Sequence, residues 1–500
     1  MDFRSRFFRT LLAGLIGLTA ACHLGAQVQY SASTHLEAAF ADTSESRYLE
    51  NWTDVLIGYG DFRGGLRYEV HQPAASFSQQ PDSYRLAHRY LEYRYRGFGA
   101  RVGTFYALLG RGLTLRAFES RALRWDSNID GVKADFRHAL VDVTVLSGKI
   151  RKTRLDPFEQ DQISETEDFR LDRISGGELI IKPHRRVQAG GTYVYSHPVE
   201  GQTPDGFHRG SLLAQLTLPM ASFYGEVATL RYPEATLLEN ARDGQALYLS
   251  GSAWWRDLQL LGEYRDYDDY KLEEGLVQNP PTAIEEHLFA LMNRRQFQQD
   301  IDLERGYLFQ ATHPVTENGL LKASYSHTED QGGNRIYQDI YGQLDWYSFL
   351  NGEWLLAMGR QEDVAARYLN VVGSAAYAIG SRHYLKTIFE HQHARVDLTG
   401  RQYYDQLLTL EYTPGAAWTL SFLGEHSTDQ FADSKNVDAN GYALDAHHFW
   451  GGVQVSATVL ERIDISVFGG TRRKGKICIG GVCVVKPELE GVELTLTTRL

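Results

Sequence analysis

The chain has 500 residues, of which 43% are hydrophobic, 12% aromatic and 23% charged, and its formal net charge is −12 at pH 7. A helical membrane protein with many spans would need several apolar runs of about 18 or more residues, and a disordered chain would have few aromatic residues, so both classes are excluded. The acidic balance also argues against nucleic acid as a partner.

The first 26 residues have the pattern of a secretory signal. Three arginines in the first nine residues precede a short apolar stretch at residues 10–21, which is too short to span a membrane as a helix. We predict a signal peptide over residues 1–26, with cleavage before Gln27. Residues 18–22 also resemble a lipoprotein signal, so lipidation of Cys22 stays open as an alternative.

From residue 28 onward, apolar and polar residues alternate with period two. Val141, Val143 and Val145, for example, alternate with Asp142 and Thr144, which is typical of strands with one apolar face. We count 24 such segments, mostly about ten to thirteen residues long, whereas strands of soluble sheets have about five or six. Tilted membrane strands need about nine to eleven residues.

The connections between these segments alternate between short and long. Short connections lie near residues 137–138, 182–185, 219–220, 255–256 and 413–416, and long ones at 72–84, 107–129, 150–171, 233–243, 271–303, 428–444 and 474–488. Short turns at one end and long loops at the other are typical of outer-membrane barrels. We therefore predict an all-β fold over residues 27–500, a single large transmembrane antiparallel β-barrel of about 24 strands (22–26) in the bacterial outer membrane.

A barrel of 24 strands has a diameter of about 48 Å, so something must narrow its lumen. The strand pattern begins at Val28, so we expect no separate plug domain, which argues against a TonB-dependent receptor. Loop 107–129 is the first candidate, because arginines and glycines suit a loop that lies in a polar lumen. The predicted constriction residues are Arg111, Arg116, Glu119, Arg121, Arg124 and Asp126, and the predicted lumen wall residues are Glu92, Arg94, Arg96, Lys133 and Asp135.

Two alternatives stay open for these loops. The arginines of loop 107–129 either set an electropositive constriction or only attach the loop to the wall as salt bridges. The long outer loop 271–303 contains an amphipathic stretch at residues 284–299, which either forms a short helix at the mouth of the barrel or belongs to a plain surface loop.

Near the C-terminus, Cys478 and Cys483 flank a Gly-Gly pair that suits a two-residue hairpin turn. In that register the two cysteines lie opposite each other, so we predict a disulfide at the tip of an exported hairpin.

Sites for catalysis or metal ions are not predicted. His391 and His393 share a strand face but are not adjacent to His447 and His448 in the strand order, and no acyl-transfer or phosphoryl-transfer motif is present. We expect no enzyme activity, no cofactor and no metal.

Two motifs resemble a known family. The run at residues 103–132, with the pattern GRGLxLR…D…DG, and the C-terminal residues 469–500, with CxxxxC, are similar to an uncharacterised family of Gram-negative outer-membrane β-barrel proteins, a domain of unknown function. The resemblance covers about an eighth of the chain. It implies a barrel and an outer-membrane location, and it supplies no substrate or reaction.

The resulting functional prediction is a porin-like channel for passive passage of small solutes, constricted by loop 107–129. The alternative is a non-conducting anchor that displays extracellular loops for surface binding or assembly. Expected partners are outer-membrane lipid, lipopolysaccharide and the outer-membrane assembly machinery, because residues 491–500 resemble the C-terminal assembly signal of such barrels. The sequence leaves the oligomeric state open.

Overall fold

The computed structural model describes residues 28–41, 47–72, 83–121, 125–151, 171–197, 206–231, 243–270, 284–294, 303–349, 351–415, 417–432, 447–479 and 482–500. The predicted signal peptide, Cys22 and Arg124 lie outside these ranges. Within the described residues, no helix is long and apolar enough to cross a membrane.

Long antiparallel strands account for most of the described chain. They are β1 Val28–Ala41, β2 Tyr48–Tyr59, β3 Phe62–Gln72, β4 Ser83–Tyr95, β5 Phe98–Phe105, β6 Ile129–Arg137, β7 Val141–Arg151, β8 Leu171–His184, β9 Val187–His197, β10 Phe207–Leu218, β11 Ala221–Arg231, β12 Gly244–Trp255, β13 Leu258–Asp268, β14 Leu303–Thr316, β15 Gly319–Asp330, β16 Arg335–Phe349, β17 Gly352–Asp363, β18 Ala366–Ile379, β19 His383–Val396, β20 Gln402–Pro414, β21 Trp418–Ser427, β22 His448–Val459, β23 Ile463–Arg472 and β24 Leu489–Arg499.

These strands form one closed barrel. Each strand pairs antiparallel with its neighbours in the chain, and β24 also pairs with β1, where Leu496 lies opposite Leu36. Closure pairs both sides of every described strand, so the sheet has no edge open to another chain. The predicted fold and the count of 24 strands are confirmed.

The two faces of the barrel differ in polarity. On β10 the side chain of Leu212 is 75% exposed, whereas those of Ser211 and Leu213 beside it are buried. On β11, Val227 is likewise exposed between the buried Glu226 and Ala228. Apolar side chains therefore point outward, as lipid requires, and the polar and charged side chains point into the lumen.

The connections differ at the two ends of the barrel. At one end each connection has two or three residues, such as 60–61 and 96–97, and at the other the longest runs from 269 to 302. Three connections at the second end are nevertheless short, namely 331–334, 364–365 and 397–401, so the predicted strict alternation is wrong there. They join strands whose lumen face is covered by residues 284–294, which come from the neighbouring long loop.

Several smaller elements do not belong to the barrel sheet, and two of them lie in the long connections near residues 269–302 and 473–488. The helix α1, Ala290–Asn293, is a single turn within the stretch 284–299, for which the sequence left a short helix and a plain surface loop open, and all four of its residues are buried. A hairpin pairs Gly475–Ile479 with Val482–Lys486, and Cys478 lies opposite Cys483 in its backbone register. The disulfide itself stays a prediction, because those side chains lie outside the described residues.

Candidate functional site

We call the connection between β5 and β6, residues 106–128, the lumen loop. Its described residues, 106–121 and 125–128, lie against the lumen wall. Within it Ala107–Leu109 pairs with Leu115–Ala117, and Glu119–Ser120 pairs with Trp125–Asp126. The apolar side chains of the first hairpin pack on Phe105, Ile129, Leu146, Ile150, Ile174 and Val194, which belong to β5–β9. The lumen loop therefore covers the lumen face of β5 and β6, which it connects, and of the following strands β7–β9.

Two wall carboxylates hold the backbone at the tip of the lumen loop. The Gly110 N–H donates to Glu178 Oε1 of β8 at 2.8 Å, and the Arg111 N–H donates to Glu226 Oε2 of β11 at 2.8 Å. Gly110 has a φ of 57°, and a Cβ at this position would lie 2.6 Å from Glu226 Oε1. Glycine is therefore required here by both its conformation and its close approach to the wall.

Beyond this contact the tip is buried. Leu113 is inaccessible to solvent and packs in a cluster with Tyr224, Tyr248 and Tyr267 on the wall. Its carbonyl accepts a hydrogen bond from the Tyr270 hydroxyl at 2.7 Å. The tip is thus fixed by apolar packing as well as by hydrogen bonds.

The other limb of the lumen loop is attached by ion pairs. Arg67 of β3 donates through Nε to Asp54 Oδ1 and through Nη1 to Glu119 Oε1, both at 2.6 Å. Arg121 reaches the same two carboxylates, at 3.0 Å from Asp54 Oδ2 and 3.1 Å from Glu119 Oε1. Two guanidinium groups and two carboxylates therefore join the loop to β2 and β3.

Asp126, at the end of this limb, is surrounded by hydrogen-bond donors. Tyr106 donates to Oδ1 at 2.8 Å, Asn128 donates to Oδ2 at 2.8 Å, and His88 Nε2 of β4 lies 3.2 Å from Oδ2. Burial acts to raise the pKa of Asp126, but the hydrogen bonds and charge of His88, with those of Asn128 and Tyr106, outweigh it and lower the pKa. The carboxylate is therefore held in its ionised form.

The predicted constriction arginines occupy different settings. The Arg111 guanidinium lies 4.9 Å from the centre of the Tyr224 ring, and that of Arg116 lies 5.3 Å from the Phe118 ring. Arg121 is ion-paired as described above, and Arg124 lies outside the described residues. Attachment to the wall by salt bridges thus applies to Arg121, and the guanidinium groups of Arg111 and Arg116 lie near aromatic rings.

Four of the five predicted wall residues lie on the lumen face of β4 and β6. Glu92 pairs in register with Arg101 of β5, which pairs with Lys133 of β6, so the three side chains form a charged row. Arg94 donates to Glu92, and Asp135 lies beside Gly99. Arg101 was not predicted from the sequence, although its position between Ala100 and Val102 in the alternating pattern of β5 indicates a lumen-facing residue.

Arg96 was predicted on the wall, and this prediction is wrong. The residue lies in the two-residue turn between β4 and β5, with a φ of 44°. Its guanidinium lies 5.0 Å from the Tyr95 ring. The strand ends one residue earlier than the alternating pattern suggests, because the chain must turn at Arg96 and Gly97.

A second segment, residues 284–294, is also buried against the wall. Glu390 of β19 accepts the N–H groups of Ala290 and Leu291, at 3.3 and 2.8 Å. His287 Nε2 lies 2.5 Å from Asp339 Oδ2, and Arg294 donates to both oxygens of Glu425 at 2.6 and 2.9 Å. Sequence reasoning did not single out these three acidic residues.

Residues 19–325 and 355–500 match the family model described as a family of unknown function, DUF6029. The chain belongs to this family. None of the curated proteins matches the chain. The match agrees with the predicted resemblance to an uncharacterised family.

Solved structures with a similar fold are outer-membrane barrels. An E. coli P pilus tip assembly intermediate, PapC-PapD-PapK-PapG, gives a TM-score of 0.52 at 9% identity, covering 96% of this chain and 62% of that one. The P pilus usher PapC translocation pore gives 0.48 at 10% identity, covering 95% and 99%. The siderophore receptor PirA from Pseudomonas aeruginosa gives 0.45 at 7% identity, covering 96% and 81%. At these identities only the barrel fold is shared.

Proposed function

We propose that the protein is a porin-like outer-membrane channel for passive passage of small solutes, and that the lumen loop forms its constriction. The proposal rests on the attachment of this loop to the wall at two places. Its tip is held at Glu178 and Glu226, and its other limb at Arg67. A loop fixed in this way narrows the pore at a defined place, as a selectivity constriction requires.

The dimensions of the barrel support this proposal. A barrel of 24 strands is about 48 Å across, and a layer packed on its inner wall occupies about 10 Å. The lumen loop packs on β5–β9, and residues 284–294 pack on β16–β20. From these dimensions we infer a central passage between the two layers, and the described wall carries charged side chains such as Glu92, Arg101 and Lys133.

Planar-bilayer recording tests the channel. The purified barrel is expected to give discrete conductance steps, and a variant with residues 107–129 replaced by a short Gly-Ser connection is expected to give larger ones. If neither protein conducts, the channel proposal is wrong.

The selectivity of the pore tests the arginines. Replacing Arg111, Arg116 and Arg121 together by Gln removes three positive charges from the lumen loop, so anion preference should fall. The reversal potential in a salt gradient measures this preference. An unchanged reversal potential would exclude these arginines from a role in selectivity.

A second candidate is a non-conducting anchor that displays its outer loops for binding or assembly. The burial of residues 284–294 favours it, because Arg294, His287 and the backbone of α1 are all bound by wall side chains. Recordings without conductance from both proteins above would support this function.

For both candidate functions we infer an outer-membrane location, contact with lipid and lipopolysaccharide, and no enzyme activity.

A further inference from the structure

Three side chains that can bind a metal ion meet where the lumen loop joins the wall. Glu69 belongs to β3, His88 to β4 and Asp126 to the lumen loop, and one ligand atom of each lies within 4.8 Å of the other two. We call this group the bridging cluster. Its members come from three separate elements, so a shared ligand would connect the loop to both strands.

The distances suit a metal ion after a small movement. Bonds from zinc to nitrogen or oxygen are about 2.0–2.2 Å long, which places ligand atoms about 3–4 Å apart. His88 Nε2 and Asp126 Oδ2 are already 3.2 Å apart. One ligand atom of Glu69 lies within 4.8 Å of the other two, so metal binding requires the Glu69 carboxylate to move closer to them.

Neighbouring groups orient the ligands from outside the bridging cluster. Arg85 Nη2 donates to Glu69 Oε2 at 2.9 Å, and Asn128 Nδ2 donates to Asp126 Oδ2 at 2.8 Å. Such partners are typical of metal sites, where they fix the orientation of the ligating groups.

The local charge also favours a cation. Among the described residues of this part of the loop and wall, the carboxylates of Asp54, Glu69 and Glu119 pair with the guanidinium groups of Arg67, Arg85 and Arg121. The Asp126 carboxylate lies beside His88. Among these described residues, four carboxylates therefore accompany three guanidinium groups and the His88 imidazole. A divalent ion at the bridging cluster would be attracted by the Glu69 and Asp126 carboxylates in a partly buried setting.

We propose that the bridging cluster binds one divalent transition-metal ion and thereby links the lumen loop to β3 and β4. One imidazole with two carboxylates suits zinc, manganese, iron or cobalt, whereas calcium and magnesium prefer oxygen ligands alone. The site is independent of the channel proposal, because metal binding is measured on the purified protein whether or not the barrel conducts.

Titration calorimetry with Zn²⁺ on the full chain in detergent, after chelator treatment, tests the site. One ion per chain is expected, and His88→Ala and Asp126→Asn should each weaken its binding at least tenfold. His208→Ala is the matched control, because this histidine is exposed on β10 and touches no member of the cluster. Wild-type affinity in both cluster variants, or no Zn²⁺ binding by the wild type, would overturn the proposal.

Cobalt spectroscopy gives a second measurement that does not rely on loss of binding. In His88→Cys, Co²⁺ at the bridging cluster should acquire a near-ultraviolet thiolate charge-transfer band that is absent from the wild-type spectrum. Heat-dependent electrophoretic mobility shows that each variant is a folded barrel. A folded His88→Cys variant whose Co²⁺ spectrum matches the wild type would show that the ion binds elsewhere.

Discussion

Gly110 shows how one residue sets the position of the lumen loop. Alanine at this position would adopt a left-handed conformation and place its Cβ 2.6 Å from the Glu226 carboxylate. We predict that Gly110→Ala lowers the free energy of unfolding by about 1–3 kcal/mol, since strained backbone and a steric clash act together. Urea unfolding followed by tryptophan fluorescence measures the change.

Gly333→Ala is the control for this prediction. Gly333 also has a positive φ, of 79°, but a Cβ there would meet no atom within 4 Å. The control therefore reports backbone strain without the clash. If both variants lose equal stability, the close approach to Glu226 is not what makes glycine necessary at position 110.

Arg67 is the second residue on which the lumen loop depends. Its side chain is 9% exposed and donates to both Asp54 and Glu119. Arg67→Met would leave two partly buried carboxylates with less compensation, so we predict a loss of about 3–5 kcal/mol. Arg94→Met is the comparison, because the Arg94 side chain is 65% exposed and pairs with Glu92 near the turn. Its removal should cost less than about 1 kcal/mol in the same urea experiment.

At the scale of elements, residues 284–294 offer a direct test of burial. The Arg294 side chain is 8% exposed and bound by Glu425 of β21, so trypsin should cleave after Arg294 only when the segment opens. We predict that Glu425→Gln accelerates this cleavage about tenfold or more, because the bidentate ion pair is lost while the cleavage site remains. Mass spectrometry of timed digests identifies the cut.

Glu362→Gln is the matched variant for this digestion. Glu362 is a buried glutamate of β17 that pairs with Arg335 and Arg360, not with residues 284–294. Cleavage after Arg294 should keep its wild-type rate in this variant. An equal acceleration in both variants would mean that the barrel as a whole is loosened.

The local sequence pattern predicted the positions of the strands well, but it did not predict the contacts of the segments that lie inside the barrel. Alternation over residues such as 141–149 depends only on which face meets lipid, so it locates β7 without knowledge of its partners. The contact between Arg111 and Glu226 joins residues 115 positions apart, and no periodicity encodes it. The pattern therefore identified Glu92 and Lys133 as lumen residues but not which wall carboxylates the loop would reach.

At the scale of the whole molecule, stability depends on which side of the wall a charge occupies. Leu212, near the middle of β10, points toward lipid, whereas Gln215 three residues later lies on the lumen face. We predict that Leu212→Arg costs about 2–4 kcal/mol in lipid vesicles, the cost of an arginine at the bilayer midplane. Gln215→Arg should cost much less, because its charge enters a polar lumen. Urea unfolding in vesicles measures both variants, and equal costs would contradict the assignment of the two faces.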